Sequence, residues 1–317
     1  MSVQITTAMV DMFSANVMHL AQQKNSRLRA YCRQEVQDAE TKNYDIIGKK
    51  TARLKTGRHS EVTYQDTPHT RRRVSTQTYF DSDLVDEDDK LKTVMNIENE
   101  YAVSIASALG RSIDEVIIAG ALGTAYGGRS GASSYTLANA NKVACFDGTT
   151  TTGVGLNVPV LRAVRKKFKK NEAIADNEDV VFAFAAEQAD NLLGTTQTTN
   201  SDYAAIKALV DGEVGRFMGF LFVRTELLPF LSEDVSYNAV TGVVGSGTGT
   251  ATAATTRRCF AFTNKKSVIC SIGSEVKGKI TEMPKLHYSM QVYGSVNVGA
   301  VRMEENQVVE VLCYEVQ

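Results

Sequence analysis

Residues 86–122 read DEDDKLKTVMNIENEYAVSIASALGRSIDEVIIAGAL. Apolar side chains recur at Leu91, Val94, Met95, Tyr101, Ile105, Leu109, Ile113, Val116 and Ile117. Most of the steps are three or four residues, the spacing of one helix face. Asp86, Glu87, Asp88 and Asp89 stand at the start, where the partial positive charge of a helix N-terminus favours anions. Gly110 is a candidate break, and Ser112 followed by Glu115 has the spacing of a capping box that would open a second short helix. Unbroken, about 36 residues at about 1.5 Å each make a rod of roughly 50 Å, against an average helix of about 11–12 residues. Two readings stand: an ordinary buried helix, or two in a row, and a girder that sets the long dimension of the molecule.

The stretch just before it is the most unusual in the chain. Residues 45–80, DIIGKKTARLKTGRHSEVTYQDTPHTRRRVSTQTYF, contain few aliphatic side chains. Two flanks, roughly 47–55 and 71–80, alternate basic or polar with apolar residues and are expected as the strands of a long β-ribbon. A two-stranded ribbon has no core of its own and must lie on something to be ordered. It carries Lys49, Lys50, Arg53, Lys55, Arg58, Arg71, Arg72 and Arg73 against only Glu61 and Asp66 between 49 and 73, and Asp81, Asp83, Asp86, Glu87, Asp88 and Asp89 follow at once. A projecting cationic ribbon and an acidic helix start are complementary between identical copies. That is a heterologous contact, the kind that closes rings and shells. Solvated charge runs, or arginines that bind nucleic acid, are the other readings; no aromatic platform accompanies the arginines.

The bulk numbers bound the rest. The chain has 317 residues, 43% hydrophobic and 22% charged, with net charge −1, an ordinary folded composition with no global preference for a polyanion. Cys32, Cys145, Cys259, Cys270 and Cys313 are widely spaced and form no CxxC pair, so reduced core cysteines are expected. No apolar run approaches the roughly 20 residues of a membrane span. The N-terminus lacks a basic region and carries Asp11 in its first apolar stretch, so no secretory signal is expected and a reducing cytosol is the expected place of synthesis.

Along the chain, residues 5–21 have helical spacing and three methionines, either a plain helix or an arm that packs on a neighbour. A Gly-, Thr- and Ser-rich connection with one short strand near 142–146 follows the long helix. VPVLRAVRKKFKKNEA (158–173) is expected as a helix whose exposed face carries Arg162, Arg165, Lys166, Lys167, Lys169 and Lys170. Such a face is either solvated or lines an interior that meets nucleic acid without base specificity. Residues 179–185 read as a buried strand, 187–194 and 201–211 as helices, 217–223 as a strand, 240–256 as a flexible loop, and 275 onward as strands.

Searches for chemistry come back empty. His19, His59, His69 and His287 are far apart, and no HExxH, GxSxG or P-loop occurs. Gly245–Gly249 superficially resembles a phosphate loop but lacks the following Lys-Ser/Thr. No catalytic residue, cofactor or metal site is expected.

Five segments in order, TPHTRRRVSTQTYF, DLVDEDDKLK, ALGRSIDEVIIAGALGTAYGG, SDYAAIKALVDGEVGRFMGFLFVRTELLP and GAVRMEENQVVEVLCYE, resemble the major capsid proteins of tailed bacteriophages, in the podovirus-like group. The resemblance runs from about Asp45 to Glu315. It implies an α+β fold of the Hong Kong 97 type. Its parts are an N-terminal arm (1–45), an extended E-loop ribbon (46–83), a peripheral domain with a spine helix (84–177, closed by strands 277–317) and an axial domain (178–276). It implies that the E-loop lies on the adjacent subunit, in agreement with the charge argument. It further implies hexamers and pentamers of an icosahedral head, a scaffolding protein, a portal, packaged double-stranded DNA, a virion location after assembly in the host cytoplasm, and in some members a decoration protein. An encapsulin-like compartment and a nucleic-acid-binding protein are the alternatives. On this reading, reversing the charges of Arg71–Arg73 is expected to impair assembly more than folding.

Overall fold

The computed structural model describes residues 22–59, 61–62, 64–85, 97–149, 153–175, 178–194, 216–245 and 247–315. The expected N-terminal helix over 5–21, the acidic run Asp86–Asp89 with the first apolar positions of the long helix, and the helix over 201–211 lie outside the described residues.

The long helix runs unbroken from Ile97 to Leu122. The break expected at Gly110 and the cap at Ser112 do not occur. Gly110 instead gives the chain room to cross: a Cβ there would sit 3.2 Å from Asn25 Cα. Ser112 Oγ donates back to the Ala108 carbonyl at 3.2 Å, the pattern of a helix-interior serine rather than a cap. The pinning residue is Asp114, fully buried. Its carboxylate accepts from Gln23 Nε2 and Ser26 Oγ, both at 2.5 Å, and from the amides of Arg27 and Leu28 at 2.9 and 3.1 Å. One carboxylate thus satisfies four donors and holds segment 23–28 on the helix.

The strands, in chain order, are β1 (Arg33–Val36), β2 (Thr41–Ile47), β3 (His69–Ser75), β4 (Gln77–Val85), β5 (Ala125–Gly127), β6 (Ser133–Tyr135), β7 (Lys142–Ala144), β8 (Val180–Phe184), β9 (Arg216–Phe217), β10 (Phe220–Arg224), β11 (Val235–Tyr237), β12 (Gly249–Ala251), β13 (Thr256–Thr263), β14 (Val268–Met283), β15 (Ser289–Arg302) and β16 (Val308–Tyr314). Helices Val158–Lys170 and Ala186–Gly194 complete the described elements of length.

Two sheets build the body. In the order β1-β14-β15-β4, the first carries the long helix on one face. Val292, Val296 and Val298 of β15 alternate toward that helix. The helix sits close because both surfaces thin out to glycine: a Cβ on Gly294 would lie 2.5 Å from Ile105 Cγ2, and one on Gly120 would lie 2.8 Å from the Ala300 backbone. Gly120→Ala is therefore expected to destabilise by about 1–3 kcal/mol from overpacking, although alanine is worth up to about 1 kcal/mol more than glycine in a helix. Urea unfolding followed by circular dichroism checks it.

The second sheet has the order β7-β16-β13-β8-β10-β9, with β8 and β10 parallel. Every residue of β8 is buried, which explains its unbroken apolar sequence. Phe182, Phe184, Phe220 and Phe222 pack with ring centroids 5.3–6.4 Å apart. The single strand expected over 217–223 is split by a two-residue turn, Met218 (φ 53°) and Gly219 (φ 75°), the positive-φ pair that matches strand twist in a hairpin.

One hydrophobic core runs from Ile113 and Ile117 of the long helix through Val298 to Phe182, Phe260 and Val309, and the division expected at 276/277 falls inside β14. The five cysteines are buried and unbridged; burial pushes the Cys270 thiol up to about 11. The low-complexity 240–256 segment carries β12, which pairs with β11 just before the segment, and Tyr237, Val244 and Ala251 form a small core there.

Candidate functional site

The ribbon is shorter than its alternation suggests. β2 pairs antiparallel with β3, from Thr41–Ser75 to Ile47–His69, and the Gly48 amide closes the pair on the Pro68 carbonyl at 2.8 Å. The strand expected over 47–55 is not formed: β2 ends at Ile47, and residues 48–55 carry no strand. Nearly every described residue from 49 to 67 is exposed. Leu54, Val62 and Tyr64 stand 90%, 77% and 94% open to solvent.

At the base, the three arginines go three ways. Arg71 makes a bidentate pair with Asp45 at 2.6 and 3.1 Å, and that hydrogen bond holds the Asp45 carboxyl below its usual range. Arg73 donates to the Ser130 carbonyl at 2.8 Å. Arg72 is buried; it meets both oxygens of Glu305 at 2.9 Å and stacks 3.7 Å over the Tyr135 ring. The expectation that Arg72 faces a second subunit is corrected: its guanidinium is committed inside its own chain. Successive side chains on a strand point to opposite faces, so three consecutive arginines never formed one patch.

Beside Arg72 lies Arg302, fully buried. It donates to the carbonyls of Ala121, Gly123 and Tyr135 at 2.6, 3.0 and 3.1 Å, with Nε 3.9 Å from Glu305. The cation thus closes the C-terminal end of the long helix. Burial pulls Arg302 below its ordinary value, with Glu305 opposing. The sequence reading missed this cluster, and also Glu310, fully buried with Arg258 at 2.5 Å.

Beyond the closing Gly48–Pro68 bond, Lys50, Arg53, Lys55 and Arg58 are exposed on the excursion, and Lys49 lies 3.6 Å from an equally exposed Glu172. Asp83 is exposed on β4 beside Asp81; Asp86, Glu87, Asp88 and Asp89 lie outside the described residues.

Asn157 caps the basic helix, its Oδ1 accepting from the Val160 amide at 3.0 Å. Val160, Leu161, Val164 and Phe168 face the core, which leaves Arg162, Lys166, Lys169 and Lys170 exposed around a shallow depression with Arg165 and Met218. Arg165 is half-buried and donates to the Met218 carbonyl. Lys167 departs from the expected exposed face: its Nζ donates to the carbonyls of Ala140 and Lys142, both at 2.7 Å. Burial lowers it from 10.5 to about 8. The unfolded lysine therefore keeps a proton that the folded one gives up between those values. Relative to Lys167→Met, the wild type is expected to gain stability as pH rises from about 8 to 10.5, by at most about 1.4 kcal/mol per pH unit. Urea titrations of both proteins across that range read the difference.

Among the described residues, no group of three or more His, Cys, Asp or Glu is placed to hold a metal ion, and no helix is long and apolar enough to cross a membrane.

Comparison with known proteins agrees with this architecture. A family model described as phage capsid protein matches residues 5–315. A search of curated protein sequences finds no match. The solved capsid of cyanophage P-SCSP1u superposes with a TM-score of 0.67 at 16% identity, covering 98% of this chain and 95% of that one. The capsid of Ralstonia phage GP4 gives 0.69 at 10% identity (98% and 96% covered). The cyanophage Pam1 capsid gives 0.69 at 14% identity (97% of each). With the family match running over nearly its whole length, on a fold shared with those capsid structures, the chain belongs to the phage capsid protein family.

Proposed function

We propose that this subunit builds an icosahedral head of hexamers and pentamers around double-stranded DNA, each copy seating its 49–67 excursion on the acidic β4 region of the next. The observation that carries the reading is the excursion itself. Leu54, Val62 and Tyr64 stand largely in solvent on a segment whose described residues are nearly all exposed, and apolar groups so displayed suit an interaction surface. Its cations Lys49, Lys50, Arg53, Lys55 and Arg58 complement Asp81, Asp83 and the run Asp86–Asp89. An exposed ion pair contributes only about 0–1 kcal/mol, so single contacts exchange while a shell that repeats them holds. Stiff parts, the long helix and the two sheets, preserve the body while the excursion adapts to hexamer and pentamer.

Arg162, Arg165, Lys166, Lys169 and Lys170 are proposed to face packaged DNA through phosphate contacts alone. A scaffolding protein, a portal and, in some assemblies, a decoration protein are the proposed further partners, with assembly in the host cytoplasm and no catalytic step. The division into arm, E-loop, peripheral and axial parts belongs to the same proposal. The family match does not favour an encapsulin-like compartment. Electron microscopy of the purified chain, with and without a scaffolding protein, tests the reading: closed particles of uniform diameter support it, and subunits that stay monomeric under every condition overturn it.

A further inference from the structure

We infer that the outer edge of β4 is the receptor strand of this contact, and that residues 52–56 of a second copy add to it as a new strand. The inference rests on the shell reading above and specifies its geometry. β4 is the end strand of its sheet, paired with β15 along one side; along the other, no strand pairs with it among the described residues. An open edge of nine residues is a template for another chain.

The two faces of this edge differ in chemistry. Asp81 and Asp83 register with Gly294 and Val292, the residues of β15 that face the long helix, so both carboxylates lie on the helix side. Phe80, Ser82 and Leu84 lie on the opposite side, where Phe80 stacks on Tyr293 at 6.2 Å. Phe80 and Leu84 remain 68% and 46% exposed. Along β4 the edge therefore reads apolar, acid, small, acid, apolar.

Ala52-Arg53-Leu54-Lys55-Thr56 is the complement of that pattern. Extended beside β4 with Leu54 opposite Ser82, it sets Arg53 and Lys55 against Asp83 and Asp81 on one face. Leu54 then drops between Phe80 and Leu84 on the other. Opposite charges in register and apolar diagonal neighbours are the pairs that stabilise a sheet. The same alternation makes 47–55 look like a strand in the sequence, while none of residues 52–56 lies in a strand. The segment has strand chemistry, and its ladder forms with another copy.

The test uses assembled shells of the full chain. In the unmodified protein, amides 52–56 are expected to exchange hydrogen at least about a hundredfold more slowly in shells than in free subunits. In the double variant Leu54→Cys with Ser82→Cys, oxidation is expected to give a covalent ladder of dimers and higher oligomers, absent from either single variant. Arg53→Glu with Lys55→Glu, and Asp81→Lys with Asp83→Lys, are each expected to lower shell yield about tenfold or more, and their combination to restore it. Shells that form with 52–56 exchanging as in free subunits, or a disulfide that closes only within one chain, overturn the strand addition and leave the shell reading standing. If the unmodified chain builds no shell at all, the shell reading falls and the strand addition falls with it.

Discussion

Arg302→Met is expected to lower the unfolding free energy of the subunit by about 3–5 kcal/mol, a large part of the 5–15 kcal/mol that a domain typically has. The side chain is fully buried, and its guanidinium serves the carbonyls of Ala121, Gly123 and Tyr135. Two of those carbonyls belong to the C-terminal end of the long helix, where no intrahelical donor remains to satisfy them. Methionine fills much of the volume and supplies no donor, so three acceptors lose their partner at once, the Ala121 carbonyl buried and the other two partly so. Glu305 then pairs with Arg72 alone. Arg302→Lys is expected to fall between the two, because an ammonium reaches fewer of the three carbonyls than a planar fork. The chain has no tryptophan, so urea unfolding is read by far-ultraviolet circular dichroism, with the soluble fraction of expressed protein as the second measurement. A loss below about 1 kcal/mol in Arg302→Met would mean that water replaces the guanidinium and that the cluster does not hold the helix end.

That cluster also shows where sequence reading stops. The helix of Ile97–Leu122 was legible because apolar positions three and four apart leave few alternatives, and β15 because Val292, Val296 and Val298 alternate with polar residues. Three adjacent arginines were read as one basic surface. Yet Arg72 shares a strand face with Val74, which is buried, and the even positions carried that signal. Gly110 was read for its helix-breaking tendency, whereas here it makes room for segment 24–26. Arg302 sits between Val301 and Met303 in GAVRMEE, and nothing local says that it caps a helix some 180 positions earlier. Such pairings depend on the tertiary path, which local periodicity does not encode. The acidic half of the proposed contact was legible as composition; its ordering on two faces of β4 required the strand register.

Replacing residues 49–67 by Asn-Gly is expected to leave a folded subunit that makes no shells. Gly48 and Pro68 already face each other through a 2.8 Å hydrogen bond, so a two-residue turn of the kind that closes hairpins fits between them. The deletion removes side chains that are nearly all exposed; the Lys49–Glu172 pair, for one, is about four-fifths exposed on both sides and is worth almost nothing to stability. Shortening the loop lowers its closure entropy, so the unfolding free energy is expected to stay level or rise by up to about 2 kcal/mol. Assembly is expected to respond in the opposite way, because Leu54, Val62, Tyr64 and five cations of the proposed contact leave together. The ribbon thus divides at Gly48 and Pro68 into a base that the fold needs, with Arg72 at its centre, and a tip that only the shell needs. The same division separates the Arg71–Arg73 charge reversal into two outcomes: Arg72→Glu is expected to cost folding, while Arg71→Glu and Arg73→Glu act at the surface. Thermal melts and sedimentation of the deletion variant read both halves. A variant that melts far below the wild type would show the excursion to be part of the subunit's own stability, and normal particles would show that the shell does without it.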